Sequence, residues 1–336
     1  MLWIKDFLSI RSQQVKVGNT LSNKTSVDSG VIQGSSLGPL LFNIYINDLP
    51  NVVANSEVYL YADDCKLSLS YNKVIETALL QSDLDNISRW AEDKQLNLNI
   101  SKCAFITLGH RKVTDHHYFL YGQPLEKVST IKDLDVIIDE KLSFNKHCIS
   151  VTEKCGKIVN CLLRSFQHHN THFLVNMFKV FVRPIVDYCY SIYCPHTNKN
   201  IHLIESIQRN FTRRIICNDG MSYQDRLKLL NLETLERRGI KNDFLKAYKI
   251  IWLNYGDIGL FNLSANKLGT RSNGVKLSRD PLPDLDCRKF FYSNRVVKLW
   301  NDLKRETVLA KNLPSFETLL DPDLPQFASY FPRSCS

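Results

Sequence analysis

The sequence predicts an α+β fold, with strands and helices mixed through residue 147 and mostly helices from residue 148 onward. Tyr59–Leu69 places two apolar and aromatic runs around a pair of aspartates, which predicts a β-hairpin with Asp63 and Asp64 at its tip. Beyond His147, apolar residues recur at a spacing near 3.6, which is typical of amphipathic helices. A composition of 44% hydrophobic and 23% charged residues indicates a folded protein with a real core.

The elements before the hairpin surround a glycine-rich loop at residues 30–38. Val15–Val17 and Ser26–Val31 are predicted strands beside that loop. Pro39 suits the first turn of a helix, and Leu40–Leu49 continues with apolar spacing compatible with one. The same glycines allow a ligand to approach the backbone closely. The alternative is an ordinary buried helix with a glycine entry.

After the hairpin, Leu79–Trp90 predicts an amphipathic helix and Ala104–Leu108 a strand. We expect that strand to extend the same sheet as the hairpin and the earlier strands. Tyr118–Thr130, with its Gly and Pro turn, predicts a second hairpin, and Leu134–Ile138 predicts another strand.

The rest of the chain predicts a helical bundle interrupted by an irregular loop at 256–283. The expected helices are Cys148–Phe166, Thr171–Val182, Asn200–Cys217, Gln224–Leu230, Leu235–Trp252 and Cys287–Asp302.

The acidic pair at the hairpin tip points to a metal site. Adjacent carboxylates repel each other, so Asp63 and Asp64 gain stability when a cation lies between them. Hard divalent cations such as Mg²⁺ prefer carboxylate oxygens, and such ions can clamp the reacting oxygens of a phosphoryl transfer. A plain Asp-Asp turn remains the alternative for the dipeptide alone.

The charge distribution favours a nucleic-acid partner. The net charge is +9, and residues 164–249 carry 14 Lys and Arg against 7 Asp and Glu, which is most of the excess. Positive charge that neutralises phosphates gives salt-sensitive, largely sequence-independent binding. The candidate contacts form two groups, Arg209, Arg213 and Arg214 in one and Arg237, Arg238 and Lys241 in the other. The alternative is a solvated helix surface.

The ten cysteines do not form a recognisable framework. No Cys-x-x-Cys pair and no zinc-finger spacing is present, so reduced thiols are expected. No secretory signal is visible, and the longest apolar stretch is too short to cross a bilayer. We therefore expect an intracellular protein, nuclear or cytoplasmic, without a membrane partner.

Three motifs carry a resemblance to a known family. Residues 30–50 read Gly-Val-Ile-Gln-Gly-Ser-Ser-Leu-Gly-Pro-Leu-Leu-Phe-Asn-Ile-Tyr-Ile-Asn-Asp-Leu-Pro, residues 61–64 read Tyr-Ala-Asp-Asp, and residues 90–102 contain Trp, Leu, Asn and Lys in order. The chain resembles the reverse transcriptases of non-LTR retrotransposons, especially Jockey-like elements. It departs at Ile32, where the family usually has Pro, and at Asp135, where it usually has Gly.

The resemblance implies a partial polymerase palm at 1–147, a helical thumb-like region at 148–255 and a loop with helices at 256–336. It implies RNA template, DNA primer and dNTP as partners. The implied roles are Asp63 and Asp64 as catalytic Mg²⁺ ligands, Tyr61 and Ala62 at the primer end, Gln33 and Gly34 beside the incoming nucleotide, and Lys102 at its phosphates. A solvated surface lysine is the alternative for Lys102.

The family also has another catalytic aspartate, on a palm strand well before the glycine-rich motif. Asp6 is the only acid early in this chain, and it does not match that motif. We therefore expect an N-terminally truncated reverse transcriptase that is inactive as this chain. The alternative from another functional class is a non-catalytic, basic nucleic-acid-binding protein built on the helical half.

Overall fold

The computed structural model describes residues 2–109, 116–166, 170–216, 220–256, 258–263, 275–278 and 286–324. The chain divides into two compact units. Unit 1 is Met1–Phe105 with Arg111–Val128, and unit 2 is Ile106–His110 with Ser129–Ser336. The fold is mixed α and β, and most of the helices lie in unit 2.

Unit 1 combines short strands with two longer helices. Its elements are α1 (Leu2–Leu8), β1 (Arg11–Gln13), β2 (Lys16–Val17), β3 (Thr20–Leu21), β4 (Thr25–Val27), α2 (Gly38–Ile46), β5 (Glu57–Tyr61), β6 (Asp64–Ser68), α3 (Thr77–Asp93), β7 (Ala104–Phe105), β8 (Phe119–Leu120), β9 (Gln123–Pro124) and β10 (Glu126–Lys127). Short 3₁₀ turns lie at Leu49–Val52, Val74–Glu76 and Ile100–Lys102.

The expectation of one continuous sheet is wrong. Within the described residues, each sheet has two strands: β1–β4, β2–β3, β5–β6 and β8–β9 are antiparallel pairs, and β7–β10 is parallel. The predicted Ser26–Val31 strand stops at Val27, and Gly30 then has φ +75. Such a left-handed residue turns the chain out of the extended conformation. The second hairpin forms only at β8–β9, because Glu126–Lys127 pairs with β7 instead.

Helix α3 supplies the core of unit 1. It has 17 residues, and its buried Ile87, Trp90 and Ala91 pack with Ile46 and Leu49. The predicted helix Leu79–Trp90 lies wholly inside it and is confirmed. A second, smaller cluster contains Tyr118, Leu120 and Leu125.

Unit 2 starts with a hairpin and continues as a helical bundle. Its elements are β11 (Thr130–Asp133), β12 (Val136–Asp139), α4 (Asn145–Ser165), α5 (Thr171–Phe181), α6 (Arg183–Asp187), α7 (Tyr190–Tyr193), α8 (Asn198–Ile216), α9 (Tyr223–Leu229), α10 (Leu235–Leu253), β13 (Asn262–Leu263), β14 (Leu277–Ser278), α11 (Asp286–Lys289), α12 (Tyr292–Asn301), α13 (Arg305–Val308) and α14 (Leu313–Asp323).

The first five helices predicted in this region are confirmed apart from their ends. The predicted helix Cys287–Asp302 is instead two helices, α11 and α12, because the backbone at Phe291 has ψ 148 and leaves the helical conformation. Cys217 lies outside the described residues, as does most of the predicted loop at 256–283. The described part of that loop contains a 3₁₀ turn at Ile258–Leu260 and the antiparallel pair β13–β14.

The β11–β12 hairpin corrects one strand prediction. Leu134 and Asp135, expected to start a strand, form its turn with φ of +44 and +66. Aspartate tolerates this left-handed conformation better than most residues that carry a side chain, so Asp135 suits the turn. After β12, the Asp139 carboxylate accepts hydrogen bonds from the backbone N–H groups of Lys141, Ser143 and Phe144 and so shapes the entry to α4.

Two apolar cores hold unit 2 together. In the first, Phe178 of α5 stacks on Phe211 of α8 at a centroid distance of 4.4 Å, and both are fully buried. In the second, Trp300 and Phe316 lie with centroids 5.9 Å apart.

No helix in the described ranges is long and apolar enough to cross a membrane.

Gly239 lets α10 approach α7 closely. A Cβ at this position would lie 2.1 Å from the Cε1 and Cζ atoms of Tyr190, so only glycine fits beside that buried ring.

Candidate functional site

The β5–β6 hairpin places the acidic pair at an exposed tip. Tyr61 pairs with Asp64, which leaves Ala62 and Asp63 as the two-residue loop. Both aspartates are exposed, and Ala62 has φ +52, which a two-residue hairpin loop requires. The predicted hairpin with carboxylates at its tip is therefore confirmed.

The two faces of the hairpin differ in character. Val58, Leu60 and Leu67 are half-buried against the α3 core. On the opposite face, Tyr61 lies beside Asp64 and Tyr59 beside Lys66. The tyrosines are 67% and 50% exposed, so this face offers aromatic surface next to a carboxylate.

The open face also contains its own polar contacts. The Lys66 Nζ atom lies 5.4 Å from the centroid of the Tyr59 ring, and the Tyr59 hydroxyl donates a hydrogen bond to Glu57. This hydrogen bond to a carboxylate raises the pKa of Tyr59 above its ordinary value, because it stabilises the protonated phenol. Tyr59 is therefore a hydrogen-bond donor, not a proton acceptor, at neutral pH.

Within the glycine-rich loop, the side chain of Ser35 bridges two backbone groups. The Ser35 hydroxyl donates to the Ile32 carbonyl at 2.7 Å and accepts from the Gly38 N–H at 3.0 Å. A Cβ on Gly38 would lie 2.9 Å from that hydroxyl oxygen and 3.0 Å from the Ile32 carbonyl oxygen, so a larger residue there would disturb the Ser35 hydrogen bonds. Gly34 has φ +79 and no atom within 4 Å of a hypothetical Cβ, and the neighbouring Gln33 is exposed. The loop therefore presents open backbone to solvent.

Helix α2 is tied to α3 by a charged network. The Asp48 carboxylate accepts from the Trp90 Nε1 at 3.1 Å and lies 2.7 Å from the Lys94 Nζ. The Tyr45 hydroxyl donates to the Lys94 carbonyl at 2.6 Å. The hydrogen bond from Lys94 lowers the pKa of Asp48, which therefore stays ionised at neutral pH. These contacts fix the helix that follows the glycine-rich loop.

Lys102 is exposed at the end of a 3₁₀ turn, Ile100–Lys102. The turn is capped by the Asn99 side chain, which accepts from the Ser101 N–H at 3.1 Å. Lys102 is therefore accessible from solvent, and its ammonium group is available to contact a phosphate.

The hairpin tip offers two carboxylates, which are the type of ligand that Mg²⁺ prefers. Asp63 and Asp64 supply carboxylate oxygens, and Mg²⁺ is commonly held by one or two carboxylates together with water and substrate phosphates. Among the residues the structure describes, no group of three or more His, Cys, Asp or Glu side chains is placed to hold a metal ion.

The predicted basic residues all lie in unit 2 and fall into two classes. Arg209, Arg213 and Arg214 are exposed on α8. The Arg209 guanidinium lies 4.5 Å from the centroid of the Tyr223 ring, and Arg214 donates to the Asn160 side chain at 2.5 Å. This group of arginines therefore faces solvent, and stacking orients one of its members.

Arg237 and Arg238 are instead engaged within the protein. Arg238 donates to the Asp187 carboxylate through Nε at 2.9 Å and through Nη2 at 2.7 Å. Arg237 forms ion pairs with Glu233 and with Asp321, and its side chain is only 11% exposed. The geometry gives both residues a role in joining helices.

Comparison with known proteins decides the family. A model of the family described as reverse transcriptase (RNA-dependent DNA polymerase) matches residues 1–174, which include the hairpin, the glycine-rich loop and Lys102. The chain belongs to the reverse transcriptase family. No solved structure matches it significantly.

Two similar curated proteins are named as polymerases of mobile elements. The chain is 28% identical over 225 residues to the RNA-directed DNA polymerase from mobile element jockey of Drosophila melanogaster, covering 64% of the chain and 25% of that protein. It is 29% identical over 251 residues to the probable RNA-directed DNA polymerase from transposon BS of the same species, covering 70% and 28%. The chain thus spans about a quarter of the length of these two relatives.

Two features of unit 1 were missed at the level of sequence. One is the Asp48–Trp90–Lys94 network, whose members are far apart in the chain. The other is Asp83, a fully buried acid on α3. A signal for Asp83 was present, because it follows Leu80 by three residues and precedes Ile87 by four and therefore lies on the apolar face.

Proposed function

We propose that this chain carries the catalytic hairpin of an RNA-directed DNA polymerase from a non-LTR retrotransposon. The observation that carries the proposal is the exposed Asp63–Asp64 pair at a hairpin tip, inside the stretch that the family model matches. Its substrates would be an RNA template, a DNA primer and dNTPs.

In this proposal Asp63 and Asp64 hold Mg²⁺, which would neutralise charge on the triphosphate and at the primer end. Tyr61 and Ala62 would line the primer end, since both are exposed beside the carboxylates. A two-ion mechanism needs a further acidic ligand beyond these two carboxylates. We therefore expect the chain alone to extend no primer.

The incoming nucleotide would meet three other residues of unit 1. Gln33 and Gly34 are exposed in the open loop before α2, where bare backbone allows close approach of a base or sugar. Lys102 is an exposed cation suited to the triphosphate. Residues 1–147 would then be a partial palm, 148–255 a thumb-like region, and 256–336 a loop with a helical C-terminal region.

Metal binding at the hairpin tip tests the central claim. In ¹⁵N-tyrosine-labelled protein, Mn²⁺ is expected to broaden the Tyr61 amide signal, and Asp63→Asn with Asp64→Asn should abolish the broadening. Asp85→Asn, an exposed acid on α3, is the matched control. Equal broadening in the double variant would contradict the metal role.

Primer extension tests the expected inactivity. Full-length protein, primed RNA template, dNTPs and Mg²⁺ should yield no extension product. Incorporation that Asp63→Ala abolishes would show that the chain is itself a polymerase and that its two described carboxylates suffice.

A second candidate function is non-catalytic binding of nucleic acid by unit 2. The exposed arginines of α8 favour it, because they offer charge that is independent of the hairpin. Arg237 and Arg238 would support such a surface indirectly, by fixing α10. The intracellular location stays a prediction from the sequence.

A further inference from the structure

Asp83 is an acid in an apolar setting. Its side chain is fully buried on α3, whereas Asp85, two residues later on the same helix, is exposed. Burying a carboxylate costs several kcal/mol unless hydrogen bonds replace the lost water. The position therefore calls for dedicated partners.

Those partners are three consecutive residues. The Asp83 Oδ1 atom accepts from the Ala54 N–H at 3.0 Å and the Asn55 side-chain amide at 3.0 Å. The Oδ2 atom accepts from the Asn55 N–H at 3.1 Å, the Ser56 N–H at 2.8 Å and the Ser56 hydroxyl at 2.8 Å. Successive backbone N–H groups that converge in this way form an anion-binding nest.

The hydrogen-bond donors of the nest stabilise the charged form of Asp83, and the charged carboxylate in turn satisfies those donors. Burial alone would raise the pKa of Asp83, but the N–H donors of Ala54 and Asn55 and the side-chain donors outweigh burial and lower it. Asp83 is therefore charged at neutral pH, and the three N–H groups keep strong acceptors although the segment is partly buried.

The anchored segment is the base of the hairpin. Ser56 is followed directly by β5, which leads to Tyr61 and the acidic tip without an intervening turn. One helical turn beyond Asp83, the Asn86 side-chain amide donates to the Val52 carbonyl at 3.1 Å. Helix α3 therefore holds the chain at two places, Val52 and Ala54–Ser56, that both lie just before β5 begins.

We propose that Asp83 is a positioning residue for the acidic hairpin. Its carboxylate fills the backbone anion nest of Ala54–Ser56 and fixes where β5 starts, and thereby where Asp63 and Asp64 are held. The consequence for metal binding rests on the proposed function. The anchoring of the hairpin does not.

Hydrogen exchange measured by mass spectrometry tests the anchoring. In the full chain, Asp83→Asn should speed exchange in peptides covering 54–61 by about 10- to 100-fold, which corresponds to losing hydrogen bonds to a charged group. Exchange in α10 should stay unchanged. Asp85→Asn is the control and should leave both regions unchanged.

Anion rescue separates a nest from a general packing defect. In Asp83→Ala, added formate should slow exchange in 54–61 again, because it can occupy the vacated nest. Formamide, which has a similar shape and no charge, should not. Rescue by neither compound, or by both equally, would overturn the nest.

The metal readout connects the anchor with the site. Asp83→Asn should weaken Mn²⁺ broadening of the Tyr61 amide at least severalfold, while Asp85→Asn should not. Unchanged broadening in Asp83→Asn would overturn the positioning role. Absence of broadening in the wild type would refute the proposed metal site, and the exchange experiment would still decide the anchoring. Equal loss of protection in α10 would make Asp83 a general stability residue and refute the proposal.

Discussion

Replacing Arg209, Arg213 and Arg214 by Gln should change how RNA binding depends on salt. The three side chains are exposed on α8, so each can neutralise one phosphate. On a single strand each neutralised phosphate contributes about 0.7 to the slope of log K against log salt, so the triple variant should lose about 2 units. Between about 50 mM and about 200 mM salt, that slope corresponds to about 20-fold in affinity.

Fluorescence anisotropy with a labelled, unstructured RNA measures this directly. The full chain and the triple variant are titrated at several salt concentrations, and circular dichroism confirms that both are folded. Arg237→Gln is the control, because that guanidinium is already paired with Glu233 and Asp321 and should contribute little to the slope.

Two outcomes would refute the reasoning. An unchanged slope in the triple variant would show that the phosphate contacts lie elsewhere. Binding by the wild type that ignores salt would exclude the second candidate function, since phosphate neutralisation always releases counterions.

Three further predictions concern stability, measured by urea unfolding followed by circular dichroism. Ala62→Gly should stabilise unit 1 by about 1 kcal/mol because Ala62 has φ +52. Ala78→Gly, in the first turn of α3, should instead destabilise it by up to about 1 kcal/mol, and the same sign for both variants would contradict the reasoning. Gly239→Ala should cost about 2 kcal/mol because its Cβ would lie 2.1 Å from a buried ring, whereas Gly156→Ala, with open space in α4, should gain up to about 1 kcal/mol. Burial alone would raise the pKa of Asp139, but the backbone N–H groups and the Ser143 hydroxyl that donate to its carboxylate outweigh burial and lower the pKa. The ionised carboxylate therefore contributes to the free energy of unfolding above the unfolded pKa of about 3.9, and this contribution is lost as the pH falls below that value. Asp139→Asn should therefore be less stable than the wild type at pH 7 and nearly equal to it in acid, and a pH-independent difference would contradict the linkage.

The hairpin could be predicted because its signals are local. Two aspartates between short apolar and aromatic runs mark the turn and the two strands beside it. The sheet could not be predicted in the same way. Strands of two or three residues, such as β7 at Ala104–Phe105, choose partners by tertiary packing, and no turn specifies the parallel pairing with β10.

The arginine groups show a related limit. Spacing along a helix reveals which side chains share a face, but it does not reveal a carboxylate that arrives from another element. Arg237 pairs with Asp321 of α14, and Arg238 with Asp187 of α6. The positive excess of residues 164–249 therefore overstates the charge that unit 2 offers to a phosphate backbone.

The acids of unit 1 divide into those that support the fold and those that do not. Asp83 accepts hydrogen bonds from partly buried N–H groups, so its loss leaves those donors without their carboxylate and should weaken the hairpin base. Asp63 and Asp64 are exposed and adjacent, so without a cation their repulsion opposes folding. Replacing Asp63 by Ala should therefore leave the free energy of unfolding unchanged or raise it. The free energy of unfolding, measured by urea unfolding, therefore separates the two kinds of acid: Asp63→Ala should not lower it, whereas replacing the buried Asp83 should.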